Sequence, residues 1–466
     1  MVRDVGMNAG YYVQPTMGMA EHGPNNLALK WFGWFGFLSL GVYATFLIAW
    51  PDVGGPAETI MALLGLVAVL TWGTRIRASA ALWLLVAAVL VQLLSWTLGY
   101  FHHPQWIEDN PQVDRLAKLF IFISVAWWLG GSTRRTLLIW SLALTGFFLG
   151  LLIHGNGLAE WRNGFAGLRV DFGIRNAQHT AMYFGTGLLG LLAFARRSLA
   201  SGNWALVRRL AWVLAMALCV AGLIVTQTRG IWLALGVALP LMAALFAWWY
   251  LRTHPVRQAR LMLLGGFLAV VLVGIPTVEI AYSPIANRVT KELPAIESIL
   301  AGDFEAVPYN SSGVRFHTWR AATEWIAERP IVGWGGDGRS LAIDETQWLP
   351  QWVKDHFGHL HNYFLELWVA YGLLGVAVFA GLAFWVGRGT WLAWRGGVLP
   401  SDMALFGVAF FLYWIIVNQF ESYNSFWTGV FVHNLVVGGL VTHYWRWQST
   451  QRRDGDSQPQ PTSQPE

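Results

Sequence analysis

Apolar residues in this chain come in blocks close to the roughly 20 residues that a helix needs to cross a bilayer. No other feature limits the fold as much. The sequence has 466 residues, 55% of them hydrophobic and only 12% charged, whereas a soluble domain carries about 25% charge. It reads as an all-α polytopic membrane protein. About twelve spans are expected, near 28–49, 57–73, 78–99, 116–130, 136–154, 177–195, 210–227, 230–250, 261–281, 362–386, 403–418 and 428–445. The formal charge of +5 then needs no nucleic acid as partner, because basic excess in membrane proteins marks cytoplasmic loops.

Basic residues set the expected orientation. Arg75 and Arg77, Arg134 and Arg135, Arg196, Arg197, Arg208 and Arg209, then Arg252, Arg257 and Arg260 follow successive even-numbered spans. Arg388 and Arg395 follow the tenth, and Arg446, Arg452 and Arg453 the last. Those loops are expected to be cytoplasmic, with both termini inside. Residues 1–281 then form an N-terminal bundle of about nine spans. Residues 282–360 form a large helical loop on the outer face, 361–445 a C-terminal group of about three spans, and 446–466 a disordered cytoplasmic tail. The polar start lacks the apolar core of a signal peptide, so the first span is expected to be an uncleaved anchor. The one cysteine, Cys219, excludes a disulfide within the chain and a cysteine metal cluster.

Basic residues on the expected outer face depart from the charge pattern: Arg162, Arg169 and Arg175 in 155–176, Arg229, and Arg288, Lys291, Arg315, Arg320, Arg329, Arg339 and Lys354 in 282–360. Arg229 sits in the tiny turn before the eighth span, on what should be the outer face. A helix N-terminus favours an anion there, and a guanidinium fork matches phosphate oxygens; an interface arginine facing lipid headgroups is the alternative. The outer loop has helical spacing in 285–300 and in 314–328. Arg329-Pro330 should stop the second helix, and GWGGDG (333–338) should turn. Arg315 shares a face with Trp319, Ala322 and Ile326, so it either snorkels or points into a pocket between the loop and the bundle.

Three histidines, His356, His359 and His361, precede the tenth span. They raise the question of a metal, but no acidic residue stands at ligand spacing, and no metal or cofactor is expected. Walker, HExxH and GxSxG patterns are absent from the sequence. Helical projection puts 361, 365, 368, 372 and 375 on one stripe, where Gly372 and Gly375 would permit close helix approach. His361 is therefore the candidate base, and His356 and His359 the approach to it. Glu366, in the outer third of the span, should pair with another group, an arginine first of all. Among the outer-loop tryptophans, Trp319, Trp325, Trp334, Trp348 and Trp352 are the candidate sugar contacts, with packing as the alternative for each.

These residues carry a resemblance. His361-Asn362, nine residues, Gly372, two residues and Gly375 resembles the H-N-x9-G-x2-G pattern of bacterial O-antigen ligases. QTRGIWLAL around Arg229 resembles the R-x3-L element of the same family. SSGVRFHTWRAATEWIAERPIVGWG (311–335) is similar to the segment entering the second loop helix of O-antigen ligases and polymerases. The resemblance implies a glycosyltransferase type C-like membrane fold. It also implies a glycan moved from undecaprenyl diphosphate, at the periplasmic face of the bacterial inner membrane, to a sugar hydroxyl of lipid A–core. His361 would be the catalytic histidine. Arg229, Arg315 and Arg175, the last in RNAQHTAMY, would bind the diphosphate. Asn362, Glu366, Gly372 and Gly375 would support them.

Chemistry agrees with that expectation. A lipid diphosphate is already a good leaving group, so neither ATP nor metal is required if arginines stabilise the developing charge. A neutral imidazole suits removal of the acceptor's proton, and a single displacement would invert the anomeric centre. Three other readings stay open. An O-antigen polymerase or a protein O-oligosaccharyltransferase would use the same donor. A transporter would explain the many spans, but it calls for repeated halves with broken helices, and no convincing repeat is seen.

Overall fold

A computed structural model describes residues 27–74, 76–253, 255, 290 and 292–456. Among the described residues the regular structure is entirely helical. Helices α1 (Leu27–Ala49), α2 (Pro51–Trp72) and α3 (Ala80–His102) open the chain, followed by the short α4 (Asp114–Ala117) and α5 (Phe122–Leu129). Next come α6 (Thr133–His154), α7 (Leu158–Phe165), α8 (Ala177–Ala193), α9 (Ala195–Leu199), α10 (Ala205–Val225) and α11 (Arg229–Thr253). Residues 293–356 carry α12 (Leu293–Ala301), α13 (Ser311–Glu328), α14 (Gly338–Asp344) and α15 (Gln351–His356), none of them long and apolar enough to cross a membrane. The chain closes with α16 (Tyr363–Arg395), α17 (Ser401–Val417) and α18 (Trp427–Asp456). Among the described residues, 7 of these helices are long and apolar enough to cross a membrane. The protein is thus an all-α, multi-pass membrane protein. The expected ninth span, 261–281, lies outside the described residues, as do 285–289 of the first loop pattern.

One expected span is not a continuous helix. Over 116–130 the chain breaks into α4, a 3₁₀ turn (Lys118–Phe120) and α5. Side chains from neighbouring helices replace the missing helical partners, as buried backbone requires. Gln92 Oε1 accepts from Leu116 N at 2.8 Å, Asn434 Oδ1 accepts from Phe122 N at 2.9 Å, and Asn434 Nδ2 donates to Lys118 O at 2.8 Å. The tail also differs from expectation. Residues 446–456, read as disordered, continue α18 to Asp456, and 457–466 lie outside the described residues.

A third departure is in α16. Gly372 has φ 61° and ψ −162°, so it kinks the helix instead of smoothing a helix–helix contact. The kink frees backbone groups, and residues 330–335 take them up. Trp334 N donates to Val369 O (2.9 Å), Gly335 N to Ala370 O (2.8 Å), and Leu373 N to Pro330 O (2.8 Å). A Cβ on Gly372 would lie 2.2 Å from the Ile331 carbonyl carbon, and the left-handed φ disfavours any other residue. Gly375 packs against Tyr371 of its own helix. Gly372 thus serves loop docking, and Gly375 packs within its own helix; neither makes the helix approach that the spacing suggested.

The bundle core and residues 293–356 have separate apolar clusters. Val314, Ala321, Ala322, Trp325, Trp334 and Leu341 form the second, with Val369 of α16. The segment is therefore a folded cap seated on the kinked helix.

Candidate active site

The site gathers where the N-terminal ends of α8, α11 and α16 meet α13 and the α17–α18 connection. Each helix start is fixed locally. Asn176 caps α8 by accepting from Gln178 N and His179 N (2.9 and 3.1 Å). Asn362 caps α16 by accepting from Phe364 N and Leu365 N (3.1 and 3.2 Å), the role short polar side chains play at that position.

His361 precedes the cap and has φ 52°. It is not on the helix, so the stripe through 365, 368, 372 and 375 does not aim it; Trp368 on that stripe is 37% exposed. A left-handed turn aims it instead, and its partner is Glu421. His361 Nδ1 donates to Glu421 Oε2 at 2.9 Å. His359 Nε2 donates to Glu421 Oε1, also at 2.9 Å, and the two imidazole centroids are 4.0 Å apart. His359 therefore belongs to the site rather than to its approach. His356 does not; it is exposed and bonds to Trp352 O at 2.8 Å.

Burial alone would raise the Glu421 carboxyl. The two histidine hydrogen bonds outweigh that and hold it well below the usual carboxylate range. His361 is pushed below the ordinary imidazole value by burial, with Glu421 pulling the other way. It is thus neutral at pH 7, and because Nδ1 carries the hydrogen that faces Glu421, Nε2 keeps a lone pair.

Glu366 is buried at the first turn of α16. It accepts from Ser422 Oγ (2.5 Å), Ser425 Oγ (2.8 Å) and Leu360 N (3.1 Å). Arg339 Nη1 lies 3.6 Å away. The arginine expected of Glu366 is present, but the serine bonds matter more for the site. They hold the turn that presents Glu421 to both histidines.

Arg229 and Arg315 line one cavity, together with Arg169, Gln178, Thr228 and Tyr423. Arg229 begins α11 and pairs with Glu292 at 3.2 Å. Arg315 reaches from α13 to α8. With the Gln178 amide oriented to suit both neighbours, its oxygen accepts from Arg315 Nη2 at 2.8 Å and its nitrogen donates to Glu421. Burial pushes the Arg315 guanidinium below its usual value, opposed by Glu421, and the side chain stays a cation. Gln178 thus joins the arginine cavity to the histidine–carboxylate cluster, and His361 stands behind that bridge rather than in the cavity lining. Arg175 is not in the lining; its guanidinium stacks 3.7 Å over the Phe426 ring, and the same ring meets His359 at 5.1 Å.

Sequence reasoning missed Glu421 and Gln178, and it marked Arg169 only as an exception to the charge pattern, not as a site residue. Glu421 lies 60 positions from His361, in a connection whose lack of Arg and Lys drew attention away from its one acid. Its signal was only that: a lone carboxylate between two apolar helices. His359, His361 and Glu421 also place three donors within 4.8 Å. Such a set is chemically able to hold a divalent ion, but a metal on Nδ1 would displace the hydrogen bond to Glu421.

Comparison with known proteins adds two findings. Residues 214–380 match a family model described as O-antigen ligase, which bears out the resemblance read from Arg229, Arg315 and His361. Glu421 and Gln178 lie outside that stretch. A 90-residue stretch is 37% identical to an uncharacterized protein of Haemophilus influenzae, covering 19% of this chain and 23% of that relative. The alignment thus spans less than a quarter of the relative's length.

Proposed function

We propose, from the match of residues 214–380 to the O-antigen ligase family model, that the chain transfers a lipid-linked glycan at the periplasmic face of the bacterial inner membrane. The donor is glycan on undecaprenyl diphosphate, and the acceptor is a sugar hydroxyl of lipid A–core. In this reading residues 1–281 and 361–445 form the membrane bundle, 282–360 cap its periplasmic side, and both termini are cytoplasmic. The observation that carries the proposal is the hydrogen-bonded line from an arginine cavity, through Gln178 and Glu421, to a neutral imidazole.

Arg229 and Arg315 hold the diphosphate through charge-assisted bonds, beside the start of α11, where the helix dipole also favours an anion. Arg169 lines the same cavity. Arg175, stacked on Phe426, contributes positive charge near Glu421. His361 Nε2 takes the proton of the attacking hydroxyl. The hydroxyl oxygen bonds to the anomeric carbon as the bond to the diphosphate breaks, and the diphosphate leaves with the electron pair. The arginines stabilise that developing charge, and Glu421 stabilises the imidazolium. Backside attack inverts the anomeric centre.

The test is transfer by purified protein from lipid-linked glycan to lipid A–core, without ATP and with a chelator present. Joined product with an inverted linkage is expected. Retention of configuration would overturn the single displacement. Loss of transfer on chelation would move His359, His361 and Glu421 to a metal role. Glycan lengthened on its lipid carrier, with no lipid A–core adduct, would make the protein a polymerase.

A further inference from the structure

The five candidate tryptophans of the extramembrane segment separate by exposure. Trp325 and Trp334 are buried at 8% and 1%. Trp319 is partly buried and donates to Leu360 O at 2.8 Å. Trp348 and Trp352 are 38% and 44% exposed, and Tyr309 beside them is 37% exposed. We propose that Tyr309, Trp348 and Trp352 form a saccharide platform that holds an unphosphorylated part of the acceptor's sugar chain and feeds its hydroxyl to His361. This rests on the transfer reading above.

The rings are held in place, which lowers the ordering cost of binding. Tyr309 stacks on buried His317, with centroids 4.2 Å apart and 20° between planes. Trp352 stands edge-on to Tyr309 at 5.9 Å and 72°. Trp348 donates to Glu324 at 3.0 Å, and the Arg320 guanidinium covers the ring at 4.9 Å. Aromatic faces are electron-rich and suit the polarised C–H faces of sugar rings. Glu324, bonded to Trp348, and Glu305, paired with the Arg320 that covers that ring, border the platform and offer oxygens to sugar hydroxyls. The same carboxylates would repel phosphate, and they suit a neutral sugar better than an anionic lipid surface.

Position selects the acceptor as occupant. The rings continue from Trp352 to Phe357 (6.4 Å) and from Phe357 to His361 (6.1 Å). They reach the base without crossing the arginine cavity, which lies beyond Glu421 and Gln178. An in-line displacement needs the nucleophile and the diphosphate on opposite sides of the anomeric carbon, and the platform leads to the nucleophile's side.

The test uses the full chain in detergent, with delipidated core oligosaccharide as probe and no donor, read by saturation-transfer NMR and calorimetry. The double variant Trp348→Ala/Trp352→Ala should bind the probe roughly tenfold more weakly, while Trp→Phe variants keep most of the affinity. In transfer assays the Ala variant should raise KM for the full acceptor, leave kcat and donor KM unchanged, and leave an acceptor cut to its terminal sugar unaffected. Unchanged probe binding would overturn the platform, and so would a rise in donor KM alone. Lost thermal stability in lipid with unchanged probe affinity would make the rings a membrane-interface anchor. Absence of transfer by the unaltered chain would break the reading of its function, while probe binding would still decide the platform.

Discussion

The arginine cavity and the histidine cluster both use a carboxylate as partner, but in opposite ways. Arg229 meets Glu292 at 3.2 Å, with side chains 28% and 6% exposed. His361 meets Glu421 at 2.9 Å, with side chains 16% and 1% exposed. Glu292 is also buried, but it is held by Arg229 and Ser312 N, and the guanidinium of Arg229 lines the cavity, where in the proposed reaction an incoming phosphate competes with Glu292 for it. A buried carboxylate with four hydrogen-bond contacts, from His359, His361, Gln178 and Ser422 N, does not leave. In the proposed reaction the first arm trades its counter-ion for substrate. The second is built to keep a base in one tautomer.

His361→Ala should give the largest effect, a fall in kcat of about 10²–10⁴-fold, the usual contribution of a positioned base. Full transfer by that folded variant would erase the contrast between the arms. Arg315→Ala should follow, at roughly 10²–10³-fold in kcat. Arg315→Lys should recover only part of this, because a point charge lacks the fork that reaches both Gln178 and phosphate.

Glu421→Gln should lower kcat by roughly tenfold or more and also change the pH profile. Transfer needs neutral His361, whose folded value lies below the ordinary imidazole range. The rate should therefore rise with pH below that range and level off above it. Glu421 raises the His361 value, so its removal should move the acid limb to lower pH while the plateau drops. An acid limb that stays in place would mean that Glu421 does not act through His361. Glu292→Gln should be the mildest change: donor KM falls by up to about fivefold with kcat unchanged, as measured by donor titration. A loss of kcat would show that Glu292 is as fixed as Glu421.

Much of this was legible in the chain. The helix over 314–328, its stop at Arg329-Pro330 and the placement of Arg229 at a helix start follow from periodicity and local backbone rules, which act over a few residues. The break between 116 and 130 was not legible, because Gln92 and Asn434, which satisfy its backbone, come from distant helices. The stripe through Gly372 misled for a related reason. It assumed that the helix ran through His361, whereas the helix begins at Tyr363 and Gly372 kinks it to dock residues 330–335.

By itself the sequence determined that the protein is helical and crosses the membrane more than once, since hydrocarbon thickness and backbone hydrogen bonding leave long apolar blocks few other choices. Local motif spacing also marked His361, Arg229 and Arg315. Only the tertiary structure decided what His361 faces. Glu421 reaches it from a connection between two later helices, Gln178 ties it to Arg315, and Glu366 holds the turn that makes this possible. Such contacts depend on how helices pack across long separations, and periodicity within one helix carries no information about them.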